Sequence, residues 1–158
     1  MKRRINSSDA LLRISLKRGS AHPEGDISGM LLPEKIHFEG YTDLIMKIDR
    51  IYDLLDYQTS SEKIRHYGEA GKDRWSETPL YSSEDWGKAG DISAPLKPAE
   101  AGAPVIYLYT LYRKNMSWQG YIRLMSRNER KEIPFRSVLE LMYILEDFWM
   151  EISQRQAG

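Results

Sequence analysis

Apolar residues recur along this chain in two different spacings. Leu12, Ile14 and Leu16 alternate with Arg13, Ser15 and Lys17, the period of two that predicts a half-buried strand. Turn-forming residues from Gly19 to Asp26 end it, and Ile27 to Leu32 predicts a return strand that Pro33 interrupts. Ile36 and Phe38 form a short strand leading to Gly40. The spacing then changes. Leu44, Ile48, Ile51, Tyr52 and Leu55 fall on one face of a 3.6-residue period and predict a helix over 42–57. Thr42 suits its N-cap, and Asp43 suits the positive end of the helix dipole.

The second half repeats the change of period. Val105 to Arg113 is rich in β-branched and aromatic residues on both faces, which predicts a central strand. Trp118 to Met125 pairs back as a hairpin, with Gly120 marking a bulge or a close contact. Ile133 to Arg136 is a third strand, and Pro134 places it at an edge. Ser137-x-x-Glu140 is a capping box that opens a final helix. Its stripe is Val138, Leu141, Met142, Leu145, Phe148, Trp149 and Ile152, with Glu146, Asp147 and Glu151 facing solvent. Trp118 is expected to bury against this helix, near Phe148 and Trp149.

The apolar positions of 36–55 meet apolar positions 97 residues later, in 133–152. Asp43 then meets Glu140, and Asp49 meets Glu146. Such spacing predicts an internal repeat. The expected fold is α+β: one antiparallel sheet carrying two helices on one face, in a single domain over 1–158. Two strand–helix units, 10–57 and 105–154, flank a polar insert or linker over 59–104.

Composition narrows the classes. An apolar fraction of 41% and an aromatic fraction of 11% supply a real core. There is no cysteine, so thiol chemistry is excluded and a reducing cytoplasm fits. The basic N-terminus lacks the apolar stretch of a signal peptide, and no run approaches the roughly 20 residues a membrane helix needs. Net charge is zero, but residues 1–20 carry +5, 21–104 carry −7, 105–136 carry +5 and 137–158 carry −3.

Catalytic motifs are missing. His22, His37 and His66 sit in no metal-binding frame, and no phosphate-cradling glycine loop or nucleophile elbow occurs. Glu129-Arg130-Lys131 reads as a charged turn rather than part of a magnesium-dependent nuclease. Asp49, Asp53 and Asp56 read as a solvated helix face, too few for a divalent cation. The expectation is a chain with no catalytic residue, cofactor or metal.

What remains is a stretch where bases and aromatics interleave, from Tyr107 to Arg136. Aromatic platforms beside cations hold single-stranded nucleic acid. The order helix, three strands, helix is also like that of double-stranded RNA-binding domains. The last helix opens with Ser137-Val138-Leu139-Glu140, however, which repels phosphate. Arg113-Lys114-Asn115-Met116-Ser117-Trp118-Gln119-Gly120, followed by Pro134-Phe135-Arg136-Ser137-Val138-Leu139-Glu140-Leu141, resembles a family of small bacterial proteins of unassigned function. Phe38-x-Gly40-x-x-x-Leu44-Ile45 is similar to their first half. At the level of class, the chain also resembles phage-borne and plasmid-borne inhibitors such as anti-CRISPR proteins. The function expected is that of a non-enzymatic cytoplasmic interaction or inhibitor protein with a protein partner, using its polar insert and basic-aromatic hairpin as contact surfaces. The alternative is an RNA- or single-strand-binding module built on 105–136. Candidate partner-binding residues are Arg113, Lys114, Arg123 and Arg127 in the hairpin region, with Trp75 and Trp86 in the insert.

Overall fold

The computed structural model describes residues 5–58, 103–114, 117–125 and 130–156. Three strands, β1 (Leu12–Leu16), β2 (Glu24–Gly29) and β3 (Ile36–Glu39), lead into helix α1 (Gly40–Leu54). Three more, β4 (Val105–Lys114), β5 (Ser117–Met125) and β6 (Arg130–Phe135), lead into helix α2 (Val138–Gln156). All six strands form one antiparallel sheet in the order β3-β2-β1-β4-β5-β6. The fold is therefore α+β. β4 is central and β6, with Pro134, is an edge, as their composition predicts.

Alternation along the strands builds one apolar face. Leu12 and Ile14 of β1 lie in register beside Leu108 and Ile106 of β4, and Ile14 also beside Ile27 of β2. These are buried with Phe38, Ile122 and Phe135. Both helices cover that face. Leu44, Ile48, Ile51 and Tyr52 of α1 share one core with Leu141, Leu145, Phe148 and Trp149 of α2. The Tyr41 hydroxyl also donates to the Leu145 carbonyl, at 3.3 Å. At about 1.5–3 kcal/mol per fully buried large side chain, this layer dominates the stability of the fold.

Element ends depart from the sequence in instructive ways. β2 starts at Glu24 because its pairing with Glu39 extends the ladder into the polar stretch, and it stops at Gly29. α1 begins at Gly40 rather than Thr42. The Asp43 carboxylate accepts the Glu39 amide at 2.9 Å and holds the chain there without a cap from Thr42. α2 starts as its capping box requires, with the Glu140 amide donating to Ser137 Oγ at 3.1 Å. Glu140 reaches back one residue further than expected, to the Arg136 amide and guanidinium.

The two halves share an order of elements, but the 97-residue internal repeat is not supported. β4 has 10 residues where β1 has 5. The order helix, three strands, helix is present, but three further strands precede α1 within the same sheet. The insert, with Trp75 and Trp86, lies outside the described residues, as do Asn115 and Arg127.

Candidate functional site

The β4–β5 hairpin determines where the candidate residues point. Thr110 pairs with Gly120, but Tyr112 pairs with Gln119, so Leu111 is an extra residue. Gly120 accepts this close approach, since a Cβ there would run into the Tyr109 carbonyl. A one-residue bulge reverses the side-chain phase of a strand. Before it, Ile106, Leu108 and Thr110 point toward the helices. After it, Arg113 does, opposite Trp118.

Arg113 is consequently an internal residue, its side chain 9% exposed. Nη2 donates to Asp49 Oδ1 at 3.0 Å and to Asp53 Oδ1 at 2.9 Å. Nη1 donates to the Tyr57 carbonyl at 2.7 Å. The guanidinium also lies over the Tyr52 ring, 5.3 Å from its centroid. Asp49 and Asp53 are spaced one helical turn apart on α1, which lets one guanidinium bridge them. They are not a solvated face: they hold the helix to the hairpin.

Trp118 joins the same network. Its ring meets Tyr52 edge-on at 5.5 Å, and its Nε1 donates to Asp49 Oδ1 at 3.0 Å. Its ring and indole N–H contacts are thus with α1, while it shares one buried core with Phe148 and Trp149 of α2. The link to α2 comes from the preceding residue, Ser117, whose Oγ accepts the Val138 amide. Tyr52 and Thr110 share a buried hydroxyl bond of 2.7 Å. Burial pushes the Tyr52, Tyr41 and Tyr57 phenols above their ordinary range. Gln58 completes the arrangement. β1 pairs with β4 only as far as Leu108, and the Gln58 amide bonds the Leu111 carbonyl and the Arg113 amide beyond that point.

The opposite face of the sheet has a different character. Tyr109 and Tyr121, paired across β4 and β5, stack at 4.6 Å with their planes 12° apart. The Arg123 guanidinium lies 5.1 Å from one ring centroid and 5.9 Å from the other. Arg123 Nε donates to Glu132 of β6 at 2.8 Å, which holds its proton more firmly than usual. Its side chain is 33% exposed. Tyr107 extends this strip toward Arg13, which is buried on β1. Among the described residues no helix packs on this face. Lys114 is exposed at the hairpin tip.

Across the same face, on β2 and β3, stands an acidic group. Glu24 pairs with Glu39, and Asp26 with His37. His37 Nε2 lies 3.4 Å from Glu39 Oε1 and 3.8 Å from Glu24 Oε2. His37 Nδ1 lies 3.5 Å from Asp26 Oδ1. A hydrogen bond from Ser20, helped by Lys17, lowers the Glu24 carboxyl below the usual range. No sequence motif announces this group. Its signal is two short alternations, Glu24-x-Asp26 and His37-x-Glu39, which matter only once the strands are paired.

The structure therefore separates the candidates. Arg113 is bound inside, Arg123 stands on the outer face with three tyrosines, and Lys114 marks the tip. Among the described residues, no helix is long and apolar enough to cross a membrane. Comparison with family models, with curated proteins and with solved structures returns no match for this chain.

Proposed function

We propose that this chain is a non-enzymatic interaction protein that binds a protein partner through the outer face of its sheet. The observation that carries the reading is the Tyr109–Tyr121 stack capped by Arg123, on a face that no helix covers among the described residues. Tyrosine and arginine give large contact area at low entropic cost and dominate the energetics of protein interfaces. The charge of the face favours a protein over nucleic acid. Basic and aromatic residues occupy β4 and β5, but Glu24, Asp26 and Glu39 occupy β2 and β3 and repel phosphate. Arg113, the strongest phosphate-binding candidate by its place in the sequence, is already shared between two carboxylates. The resemblance to mobile-element inhibitors supplies a partner class: a nucleic-acid-processing or defence complex of the cytoplasm.

The test is quantitative capture with the full chain as bait, with and without nuclease. Wild type is compared with a Tyr109→Ala/Tyr121→Ala double variant that circular dichroism shows to be folded at the assay temperature. The proposal expects one set of proteins retained after nuclease and lost from the double variant. A labelled single-stranded oligonucleotide bound tightly at low salt, and released steeply as salt rises, would instead support the nucleic-acid alternative.

A further inference from the structure

We propose that Glu24, His37 and Glu39 form a binding site for a divalent transition metal ion such as Zn²⁺, with Asp26 positioning the histidine. The argument starts from separations. Ligand atoms about 2.0–2.2 Å from a tetrahedral metal stand roughly 3.3–3.6 Å from one another. His37 Nε2 is 3.4 Å from Glu39 Oε1 and 3.8 Å from Glu24 Oε2. Good N–H···O bonds are shorter, at about 2.7–3.2 Å. The three ligand atoms lie within 4.8 Å of one another, so small side-chain rotations bring all three onto one ion.

The backbone pre-arranges this set. His37 and Glu39 are two residues apart on β3 and so share a face. Glu24 is the direct cross-strand partner of Glu39. An ion here would tie the edge strand to its neighbour.

The groups behind the ligands fit as well. A metal-bound histidine usually has a carboxylate or carbonyl at its other ring nitrogen, which fixes the tautomer. His37 Nδ1 faces Asp26 Oδ1 at 3.5 Å, and the other oxygen of Asp26 is 3.5 Å from Lys35 Nζ. Glu24 divides its oxygens in the same way. Oε1 takes Ser20 Oγ and Lys17 Nζ, while Oε2 faces the histidine. One imidazole and two carboxylates suit Zn²⁺ better than Mg²⁺, which prefers six oxygens and keeps its waters. Three protein ligands leave a further coordination position for water or an incoming oxygen ligand on the outer face.

Calorimetric titration of the full chain, produced without a histidine tag, tests the site with Zn²⁺ and Mg²⁺ at neutral pH. The expected result is one Zn²⁺ per chain and no comparable Mg²⁺ binding. His37→Ala should lose that binding by at least 100-fold. Asp26→Asn should weaken it about 10–100-fold, the usual cost of a lost orienting partner. Both positions are outside the core, so circular dichroism in the presence of a chelator should match wild type. In a second readout, the ring resonances of His37 should shift on adding one equivalent of Zn²⁺. Absence of Zn²⁺ binding, equal binding of Mg²⁺, or Zn²⁺ binding undiminished in His37→Ala would overturn the proposal. Undiminished affinity in Asp26→Asn would overturn the role given to Asp26.

Discussion

Arg113 and Arg123 occupy the two arms of one hairpin. Each lies over tyrosine and each meets a carboxylate, yet they belong to opposite faces of the sheet. Arg113 is 9% exposed, bridges Asp49 and Asp53, and fastens α1 to β4. Arg123 is 33% exposed, meets only Glu132 among the described carboxylates, and covers a tyrosine pair on the outer face. The difference arises from one extra residue at Leu111. Without that bulge, simple alternation would put Tyr112 inward and Arg113 outward. A guanidinium with a tyrosine neighbour is thus not a surface feature by composition alone. Phase decides whether it becomes part of the core or stands on the outer face.

The comparison can be broken most easily with the aromatic residues. Trp118→Ala on the inner face should cost about 3–5 kcal/mol in urea unfolding, by cavity formation and loss of the bond to Asp49. Tyr121→Ala on the outer face should cost no more than about 1.5 kcal/mol, the scale of an aromatic pair. Similar costs at the two positions would mean that both faces are core.

A smaller effect is expected at Thr110→Val. This nearly isosteric change leaves the buried Tyr52 hydroxyl without its 2.7 Å partner. Loss of about 1–3 kcal/mol should follow. A neutral result would show that the hydroxyl finds another acceptor.

Alkaline pH offers a gentler perturbation of the inner face. Tyr41, Tyr52 and Tyr57 all have folded-state pKa values raised by burial. Their stabilising contribution is complete below the unfolded tyrosine value of about 10. Above it the unfolded chain releases protons that the folded chain retains, so stability falls as pH rises toward the folded values. The urea midpoint should therefore decline above about pH 10, and Tyr52→Phe should flatten the decline. An unchanged slope in that variant would remove Tyr52 from the explanation.

The α+β class, both helices and the central place of β4 were legible because each rests on a run of several periodic residues. The capping box at Ser137 was legible for the same reason, since its whole signal lies within four residues. The bulge was half legible. Gly120 marked the place, but the displaced residue, Leu111, sits on the other strand and looks like any strand residue. The reading of Arg113 as a surface base failed there, and the reading of Asp49 and Asp53 as a solvated face failed with it. Their partner is about 60 residues away in sequence. The Glu24, Asp26, His37 and Glu39 cluster was hidden for a related reason. It exists only in the register of β2 against β3, and no local spacing carries cross-strand register.

The most direct test is urea unfolding of Arg113→Ala beside Arg123→Ala, each compared with wild type in one buffer. The account predicts a loss of about 3–5 kcal/mol for Arg113→Ala, because two carboxylates and the Tyr57 carbonyl lose their shared partner. Arg123→Ala should leave the unfolding midpoint unchanged within error, because its carboxylate partner, Glu132, is 54% exposed. Equal losses, or a larger loss at Arg123, would contradict the assignment of the two arginines to the core and to the outer face.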